Sequence, residues 1–151
     1  MTETNTRDHI SKFGPSGGVG GQPFDDPPPQ DHANIRELRI WSGVTIEAVQ
    51  IMHSCEGEIF ECPKRGQSTS GFSIVKLEPG EFITEISGRY SGYIDQLEIR
   101  TNKNIVKRFG SAKGLHDFHY QAPDNYQIAG LWGRAGRLID ALGVHLSKVA
   151  T

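Results

Sequence analysis

Polar and apolar residues alternate along the chain in three short segments that resemble one another. The segments are Ile46–Ile51, Ile94–Ile99 and Ile139–Val144, which begin roughly 45–48 residues apart. Each starts with Ile and an acidic residue and continues with apolar residues at every second position, as a strand does. The glycines that precede the three copies are Gly43, Gly92 and Gly136. Three glycine loops leading into three similar strands predict a threefold, all-β body with its loops gathered at one end.

The remaining alternation predicts about a dozen short strands in three sheets and no helix. Strands are expected from Ile35 onwards. The clearest predicted hairpin joins Phe72–Leu77 to Glu81–Ile86, because the segment between them is Glu78–Gly80, with Pro and then Gly at the central positions of a type II turn. Other predicted strands are Gln96–Thr101, Ile105–Lys107 and Tyr126–Trp132.

The N-terminal region is predicted to stay outside the sheets. Residues 1–10 are polar and non-periodic, which predicts a disordered tail, and residues 11–149 are predicted to form one domain. Phe13–Phe24 is dense in glycine and is predicted to be a loop. Asp25–Asp31 contains three prolines, which offer no amide donors to a sheet, and is therefore predicted to be an exposed connection.

Composition narrows the class of protein. The chain has 151 residues, 18 glycines, only two methionines and a net charge of −2. The glycine content suits short strands and tight turns, and the charge excludes an electrostatic footprint for nucleic acid or an anionic membrane. No segment has transmembrane length, and Met1–His9 lacks the apolar core of a signal peptide. The expected location is therefore the cytoplasm, with unconventional secretion as the other route.

The two cysteines, Cys55 and Cys62, flank a polar stretch and are predicted to lie near a hairpin. A disulfide is one reading, but the missing secretory signal favours reduced thiols. Two thiols do not fill the tetrahedral shell of a zinc ion. His53 is a candidate third ligand, but its place at the end of a strand predicts a surface residue. No metal or cofactor is therefore predicted.

Four segments, taken in order, resemble the jacalin-related lectins, specifically the type that binds mannose or glucose. The resemblance runs from about Ser11 to Leu146, and its most specific element is a Gly-x-x-x-Asp motif followed by Ala-Leu-Gly-Val. The four segments are Gly17–Asp25, Glu78–Gly80, Arg100–Lys103 and Gly133–Val144. The resemblance implies an all-β fold of the β-prism I type, three four-stranded antiparallel sheets about a pseudo-threefold axis. It also implies non-covalent carbohydrate binding without enzymatic activity.

The resemblance places a carbohydrate site at the last repeat. There, the Asp140 carboxylate would accept hydrogen bonds from the O4 and O6 hydroxyls of a sugar, and charge assistance makes such bonds strong. The backbone amides of Arg137 and Leu138, next to Gly136, would donate to the ring oxygen and O6. Gly21 would bring its amide to the O3 side. In the neighbouring specificity loop, Tyr90 or Tyr93 would offer a flat face to a longer glycan.

Each of these residues has a structural alternative. Asp140 is also placed to cap the amides of its own turn, and the glycines of Gly17–Gly21 also suit a turn with positive φ. Tyr90 and Tyr93 also suit packing at a strand edge. Packing in the core or an interface is predicted for Trp41 and Trp132, and a solvated strand for His116–His119.

A second site in the first repeat is predicted to be weak or absent. Some mannose-binding relatives carry a second Gly-x-x-x-Asp motif there, but this chain has Gly43, Val44, Thr45 and Ile46 followed by Glu47. The extra methylene of Glu moves the carboxylate by more than about 1 Å, which exceeds the tolerance of two hydrogen bonds. Asp95 follows Gly92 at a shorter spacing and is given no binding role.

The expected ligands are glycans that contain α-linked mannose or glucose. Galactose-binding relatives use a cleaved N-terminus beside the glycine loop, and this chain is continuous there. A homodimer or tetramer is expected to provide avidity. The main alternative function is a β-prism module that binds protein and keeps only a vestigial sugar site. A glycosidase is disfavoured, because Glu47 and Asp95 lie on other repeats and hydrolysis needs a second carboxyl near Asp140.

Overall fold

The computed structural model describes residues 11–150, which form thirteen β-strands and no helix. The predicted all-β class is therefore confirmed, and the predicted tail, residues 1–10, lies outside the described residues. The described chain contains no helix that is long and apolar enough to cross a membrane. The strands are β1 (Lys12–Gly17), β2 (Gln22–Asp26), β3 (Asn34–Ser42), β4 (Ile46–Cys55), β5 (Glu58–Glu61), β6 (Arg65–Gly66), β7 (Ser73–Lys76), β8 (Ile83–Tyr90), β9 (Ile94–Thr101), β10 (Val106–Gly110), β11 (His116–Gln121), β12 (Tyr126–Ala135) and β13 (Ile139–Lys148).

The strands pair into three antiparallel sheets of four rows each. Sheet I has the order β1-β13-β12-β2, and sheet III has the order β10-β9-β8-β11. In sheet II the order is β7-β3-β4, and β5 and β6 both pair with β4, end to end, to complete the fourth row. A single pairing, Ile128 with Ile83, joins sheets I and III. This is the arrangement that the threefold repeat predicts.

The repeat is visible in the turns that lead into the three similar strands. In each turn an amide donates to the carbonyl two residues later, in Gly43–Thr45 (3.1 Å), Ser91–Tyr93 (3.1 Å) and Gly136–Leu138 (3.0 Å). A bulge in the preceding strand accompanies all three turns. In the second repeat Ser91, rather than Gly92, therefore takes the place of the motif glycine. Asp95 consequently stands at the same spacing as the other two acids, which corrects the shorter spacing expected from Gly92.

The three turns lie at the same end of the molecule. The Thr45 hydroxyl of the first repeat donates to Asp95 of the second over 3.4 Å. Gln67 N donates to the Arg137 carbonyl of the third repeat, also over 3.4 Å. The prediction that the loops gather at one end is therefore confirmed.

The inner faces of the three sheets meet in one apolar core. Alternate residues of each strand point inwards, and the largest fully buried side chains are all Ile or Leu. Complete burial of one such side chain contributes about 1.5–3 kcal/mol to stability. These side chains are Ile35, Leu38, Ile40, Ile46, Ile51, Ile83, Ile86, Ile94, Leu97, Ile99, Ile128 and Leu131.

The predicted hairpin around Pro79 is wrong, although its turn is present. The amide of Glu81 donates to the Glu78 carbonyl over 2.9 Å, and Gly80 has a φ of 80°. However, β7 pairs with β3, while β8 pairs with β9 and β11. The turn therefore carries the chain from sheet II to sheet III. A tight turn fixes the local chain reversal, whereas the choice of partner strands depends on burial in the whole fold.

The prediction that residues 13–24 form a loop is also wrong. The two ends of this segment form the edge strands β1 and β2, and only the residues between them form a loop. Edge strands tolerate glycine and proline because only one side of the strand needs a hydrogen-bonded neighbour. The connection predicted for Asp25–Asp31 starts later than expected, since Asp25 and Asp26 belong to β2.

His53 is buried, with 1% of its surface exposed, which corrects the prediction of a surface residue. Its Nε2–H donates to the Ala129 carbonyl of sheet I over 2.5 Å, and Cys62 Sγ lies 3.7 Å from its Nδ1. Burial lowers the pKa of His53 and raises the pKa of Cys62 to about 11. Cys55 and Cys62 are free thiols. Within residues 11–150, no group of three or more His, Cys, Asp or Glu side chains could hold a metal ion.

Candidate carbohydrate site

Asp140 lies at the start of β13, directly after the last of the three turns. Its surface is only 6% exposed. Its backbone carbonyl accepts a hydrogen bond from Gly18 N over 2.8 Å, which fixes the glycine-rich loop between β1 and β2 beside the acid. The second residue of a strand is rigid, so the carboxylate is presented from a fixed backbone at the end where the loops gather.

The glycine-rich loop packs directly on the Asp140 carboxylate. A Cβ at Gly20 would lie 2.7 Å from Oδ2, and a Cβ at Gly21 would lie 2.5 Å from Oδ1. Gly21 also has a φ of 71°, which side chains rarely adopt. Gly136 is adjacent, since a Cβ there would lie 3.4 Å from Gly21 Cα. The structure therefore brings together Gly21, Gly136 and Asp140, which the sequence predicts to lie at one site.

Arg134 fixes this loop from the side of sheet I. Its Nε donates to the Gly20 carbonyl over 2.9 Å, and its Nη2 donates to the Gly21 carbonyl over 3.0 Å. Sequence reasoning assigned no role to Arg134, although the residue lies within the motif block that supports the resemblance. Its position two residues before Gly136 was the available signal. The guanidinium orients the loop carbonyls and makes no hydrogen bond to the Asp140 carboxylate.

The electrostatics of Asp140 follow from its burial. Loss of solvent raises the pKa of Asp140, and the positive charge of Arg134 and the backbone amide of Asp140 oppose this rise. No side chain within residues 11–150 donates a hydrogen bond to the carboxylate, since Arg134 donates to the Gly20 and Gly21 carbonyls. A buried carboxylate with few donors gains most from a ligand that brings hydroxyl donors.

Backbone donors surround the acid. In the described part of the chain, the amides of Gly21, Arg137 and Leu138 make no hydrogen bond to another backbone group. The Arg137 carbonyl is used, because it accepts from Gln67 N. The free amides and the carboxylate together offer donors and an acceptor, which is the complement that neutral hydroxyl groups require.

A cavity of about 360 Å³ lies between the three repeats at this end. It is lined by Gln67, Tyr93, Arg137 and Leu138. Tyr93 is 45% exposed and presents its ring here. The Tyr90 ring instead lies 5.3 Å from the His116 ring and 6.3 Å from the buried Phe118 ring. These contacts favour a packing role for Tyr90 and make Tyr93 the aromatic residue beside the candidate site.

The equivalent acid of the first repeat already has a partner. Ser68 Oγ donates to Glu47 Oε1 over 2.7 Å. The Thr45 side chain is buried and directed to Asp95, and the carbonyl of the exposed Val44 accepts from Ser111 Oγ over 2.7 Å. Gly43 borders the acid, because a Cβ there would lie 3.2 Å from Glu47 Oε2.

Asp95, the acid of the second repeat, also has partners. It accepts from the Thr45 hydroxyl, and Lys113 Nζ lies 3.5 Å from its Oδ1. Each repeat acid also has a glycine packed on its backbone carbonyl oxygen. A Cβ at Gly17 would lie 2.3 Å from the carbonyl oxygen of Asp140. A Cβ at Gly66 would lie 2.2 Å from that of Glu47, and a Cβ at Gly110 would lie 2.1 Å from that of Asp95. Sequence reasoning missed this equivalence for Gly66 and Gly110, because single glycines at the ends of strands are common. Among the described residues, Asp140 is thus the only repeat acid without a side-chain donor.

Three antiparallel sheets about a pseudo-threefold axis, with their turns at one end, define a β-prism protein. The family model of the Jacalin-like lectin domain matches residues 13–145. The chain therefore belongs to the jacalin-like lectin domain family.

Relatives in this family come from plants and from man. Horcolin from Hordeum vulgare is 27% identical over 143 residues, which cover 90% of this chain and 96% of horcolin. The human zymogen granule membrane protein 16 is 29% identical over 89% of this chain and 79% of its own length. Jacalin-related lectin 10 from Arabidopsis thaliana is 28% identical over 87% of this chain, but the match spans only 43% of that protein. The chain thus spans less than half the length of that relative.

Solved structures of lectins share the fold. Malaysian banana lectin superposes with a TM-score of 0.78 at 30% identity, over 91% of this chain and 97% of the lectin. Artocarpin in its mannotriose complex also gives a TM-score of 0.78, at 28% identity over 90% of this chain and 96% of artocarpin. The β-prism architecture predicted from the sequence is therefore shown.

Proposed function

We propose that this protein is a lectin that binds α-linked mannose or glucose residues non-covalently at Asp140. The observation that carries the proposal is that Asp140 is the one repeat acid, within residues 11–150, with no side-chain donor, while the loops around it offer unused amides. The binding elements are the Gly136–Asp140 turn and the glycine loop that contains Gly21.

The proposed binding mode uses two adjacent hydroxyls of a pyranose. Both would donate to the Asp140 carboxylate, and charge-assisted hydrogen bonds of this kind are about twice as strong as neutral ones. The amides of Arg137, Leu138 and Gly21 would donate to the sugar oxygens. Gly20 and Gly21 allow the backbone to approach, since a Cβ at either would occupy space beside the carboxylate.

Two observations support mannose or glucose over galactose. Artocarpin, a structural neighbour, has been solved with mannotriose and with methyl α-mannose. In addition, the described chain runs without a break from β1 into the glycine loop, which is in keeping with the mannose or glucose type.

The proposal involves binding without bond cleavage. Glycoside hydrolysis needs two carboxyl groups about 5–10 Å apart on either side of the scissile bond. The acids of the other repeats, Glu47 and Asp95, are held by Ser68 and by Thr45 and Lys113, respectively. We expect a monosaccharide Kd near 1 mM, about −4 kcal/mol. A homodimer or tetramer would raise the avidity for glycans with several termini.

Isothermal titration with methyl α-mannoside tests the proposal. Wild type should bind one equivalent, and Asp140→Asn, which keeps the side-chain size, should weaken binding at least tenfold. Glu98→Gln is the matched control, because Glu98 pairs with Arg108 on sheet III away from the site. Methyl α-galactoside tests the sugar preference. Equal binding by wild type and Asp140→Asn would reject the site, and a glycan array without hits would favour the protein-binding module instead.

A further inference from the structure

A second cavity, of about 380 Å³, lies on the outer face of sheet I. Its volume is within the range of small-molecule sites, roughly 300–1,000 Å³. Neither Asp140 nor the Gly136–Leu138 turn lines it. The lining residues are Lys12, Pro15, Pro23, Phe24, Asp25, Trp132, Gly133 and Arg134.

The indole of Trp132 forms a flat floor in this cavity. Trp132 lies on β12 beside the buried Leu131, so its side chain points away from the core. Its Nε1–H reaches across β13 and donates to the Phe13 carbonyl of β1 over 3.0 Å. It crosses β13 at Gly143, where a Cβ would lie 2.6 Å from Nε1 and 2.9 Å from Cε2. The indole therefore rests on bare backbone and is held in one orientation by its hydrogen bond.

Within the described residues, a lysine contacts the indole from the side of the cavity. Lys12 Nζ lies 4.2 Å from the centroid of the ring, and the Lys12 side chain is exposed. An exposed contact between a cation and an aromatic ring is worth about 0.5–1 kcal/mol. A ligand could therefore displace the ammonium from the ring at small cost. Trp132 is partly exposed, so of the two predicted alternatives the core position does not fit and the interface position does.

The rim of the cavity supplies walls and polar groups. Pro15 and Pro23 are exposed rings on the two edge strands of sheet I. Asp25 is held by His145, whose Nε2 lies 2.5 Å from Asp25 Oδ1. Arg134 lines the cavity while its guanidinium holds the glycine loop of the Asp140 site. The two cavities share no lining residue, and Arg134 connects this cavity to the glycine loop of the Asp140 site.

We propose that this cavity is a second saccharide subsite, in which a neutral pyranose stacks on Trp132. An aromatic face is electron-rich and attracts the weakly positive C–H groups of a sugar ring. Lys12 would turn from the ring to a sugar hydroxyl, and the Asp25 carboxylate would accept from another. A flat apolar floor with a few charged groups at the rim matches a ligand that has one apolar face and hydroxyls at its edge. The subsite goes beyond the proposed function, because it does not need Asp140.

The two tryptophans make the subsite directly observable. Trp41 is buried, so only Trp132 should respond to a ligand in this cavity. We would record the ¹⁵N-indole resonances of Asp140→Asn protein during titration with methyl α-mannoside and methyl α-glucoside, up to about 50 mM, well above a millimolar Kd. Trp41→Phe assigns the two signals. The Trp132 signal should shift with a saturable curve, and saturation of the indole protons should transfer to the sugar C–H protons.

Controls separate this subsite from the Asp140 site and from self-association. A shift at Trp132 in Asp140→Asn protein that is as large as in wild type supports an independent subsite, even if calorimetry shows no sugar at Asp140. Trp132→Leu, checked for folding by thermal melting, should lose the transfer signal at least tenfold. An unmoved Trp132 signal up to the highest concentration overturns the proposal. A shift that follows protein concentration instead of sugar also overturns it, because this face then binds a second copy of the chain.

Discussion

Ser68 Oγ donates a 2.7 Å hydrogen bond to Glu47, while the equivalent acid of the last repeat, Asp140, faces only glycines across its loop. The Ser68 hydroxyl donates to the acid of the first repeat in the way that a sugar hydroxyl would donate to the acid of a binding site. The difference between the repeats therefore lies in the loop opposite each acid as well as in the acid itself. This difference is the physical reason for proposing a single sugar site at this end of the molecule.

We predict that the double variant Glu47→Asp with Ser68→Gly gains a second sugar site. The shorter acid restores the Gly-x-x-x-Asp spacing, and the glycine removes the internal donor. Calorimetry with methyl α-mannoside should show the stoichiometry rise from one to two, with a Kd for the new site near 1 mM. Ser68→Gly alone is the control and should keep a stoichiometry of one. An unchanged stoichiometry in the double variant would show that the opposite loop does not close the first-repeat site.

We predict that Gly20→Ala weakens sugar binding with little loss of stability. The new Cβ would lie 2.7 Å from Asp140 Oδ2 and would meet no backbone atom within 4 Å, so the carboxylate must move. Affinity for methyl α-mannoside should fall at least tenfold, while the free energy of unfolding changes by less than about 0.5 kcal/mol. Gly71→Ala, where a Cβ would meet nothing within 4 Å, is the matched control and should bind as wild type. Equal affinities in the two variants would contradict the proposed position of the ligand.

We predict that acid weakens sugar binding at a higher pH than for an ordinary aspartate. Burial raises the pKa of Asp140, and the protonated acid loses the charge that strengthens the hydrogen bonds from the two hydroxyls. Affinity should therefore fall as the pH drops through this raised pKa, above the usual value of about 3.9. Calorimetric titration at a series of pH values measures the effect.

The raised pKa of Asp140 also determines the direction in which the stability of the protein changes with pH. The folded state resists ionisation of Asp140. The contribution of this residue to stability is therefore complete below about pH 3.9, and it is lost as the pH rises through the pKa that Asp140 has in the folded state. Asp140→Asn should therefore gain stability relative to wild type over this pH range. Thermal melting of both proteins measures the difference, and a constant difference at all pH values would show that the Asp140 pKa is not shifted.

We predict that Arg65→Ala is strongly destabilising. Arg65 makes two hydrogen bonds, of 2.9 and 2.6 Å, to Asp26, whose side chain is only 6% exposed. The pair joins β6 of sheet II to β2 of sheet I. Removal of one partner from a buried pair costs about 3–5 kcal/mol, and we expect the lower end because Arg65 is partly exposed.

An exposed ion pair provides the control for Arg65. Arg108 pairs with Glu98 over 2.6 Å, but its side chain is 62% exposed. Arg108→Ala should cost less than about 1 kcal/mol. Urea unfolding of both variants measures the two costs. Similar losses would show that the Asp26–Arg65 pair does not hold the two sheets together.

The sequence alone determined the class of fold and the position of the principal acid. Alternation with period two is a local property, so Ile46–Ile51, Ile94–Ile99 and Ile139–Val144 were recognisable as strands without any knowledge of their partners. The Gly136–Asp140 motif lies within five consecutive residues. Its geometry therefore follows from one turn, which is why the sequence predicts Asp140 at the end where the loops gather.

Only the tertiary structure decided what depends on residues far apart in the chain. Ser68 and Lys113 engage Glu47 and Asp95 from loops in other parts of the sequence, and the Trp132 indole lies flat because Gly143 of the next strand has no side chain. The turn at Gly80 is encoded locally, yet its flanking strands enter different sheets. Partners in a sheet are chosen by the burial of the whole chain, and a local pattern carries no information about that choice.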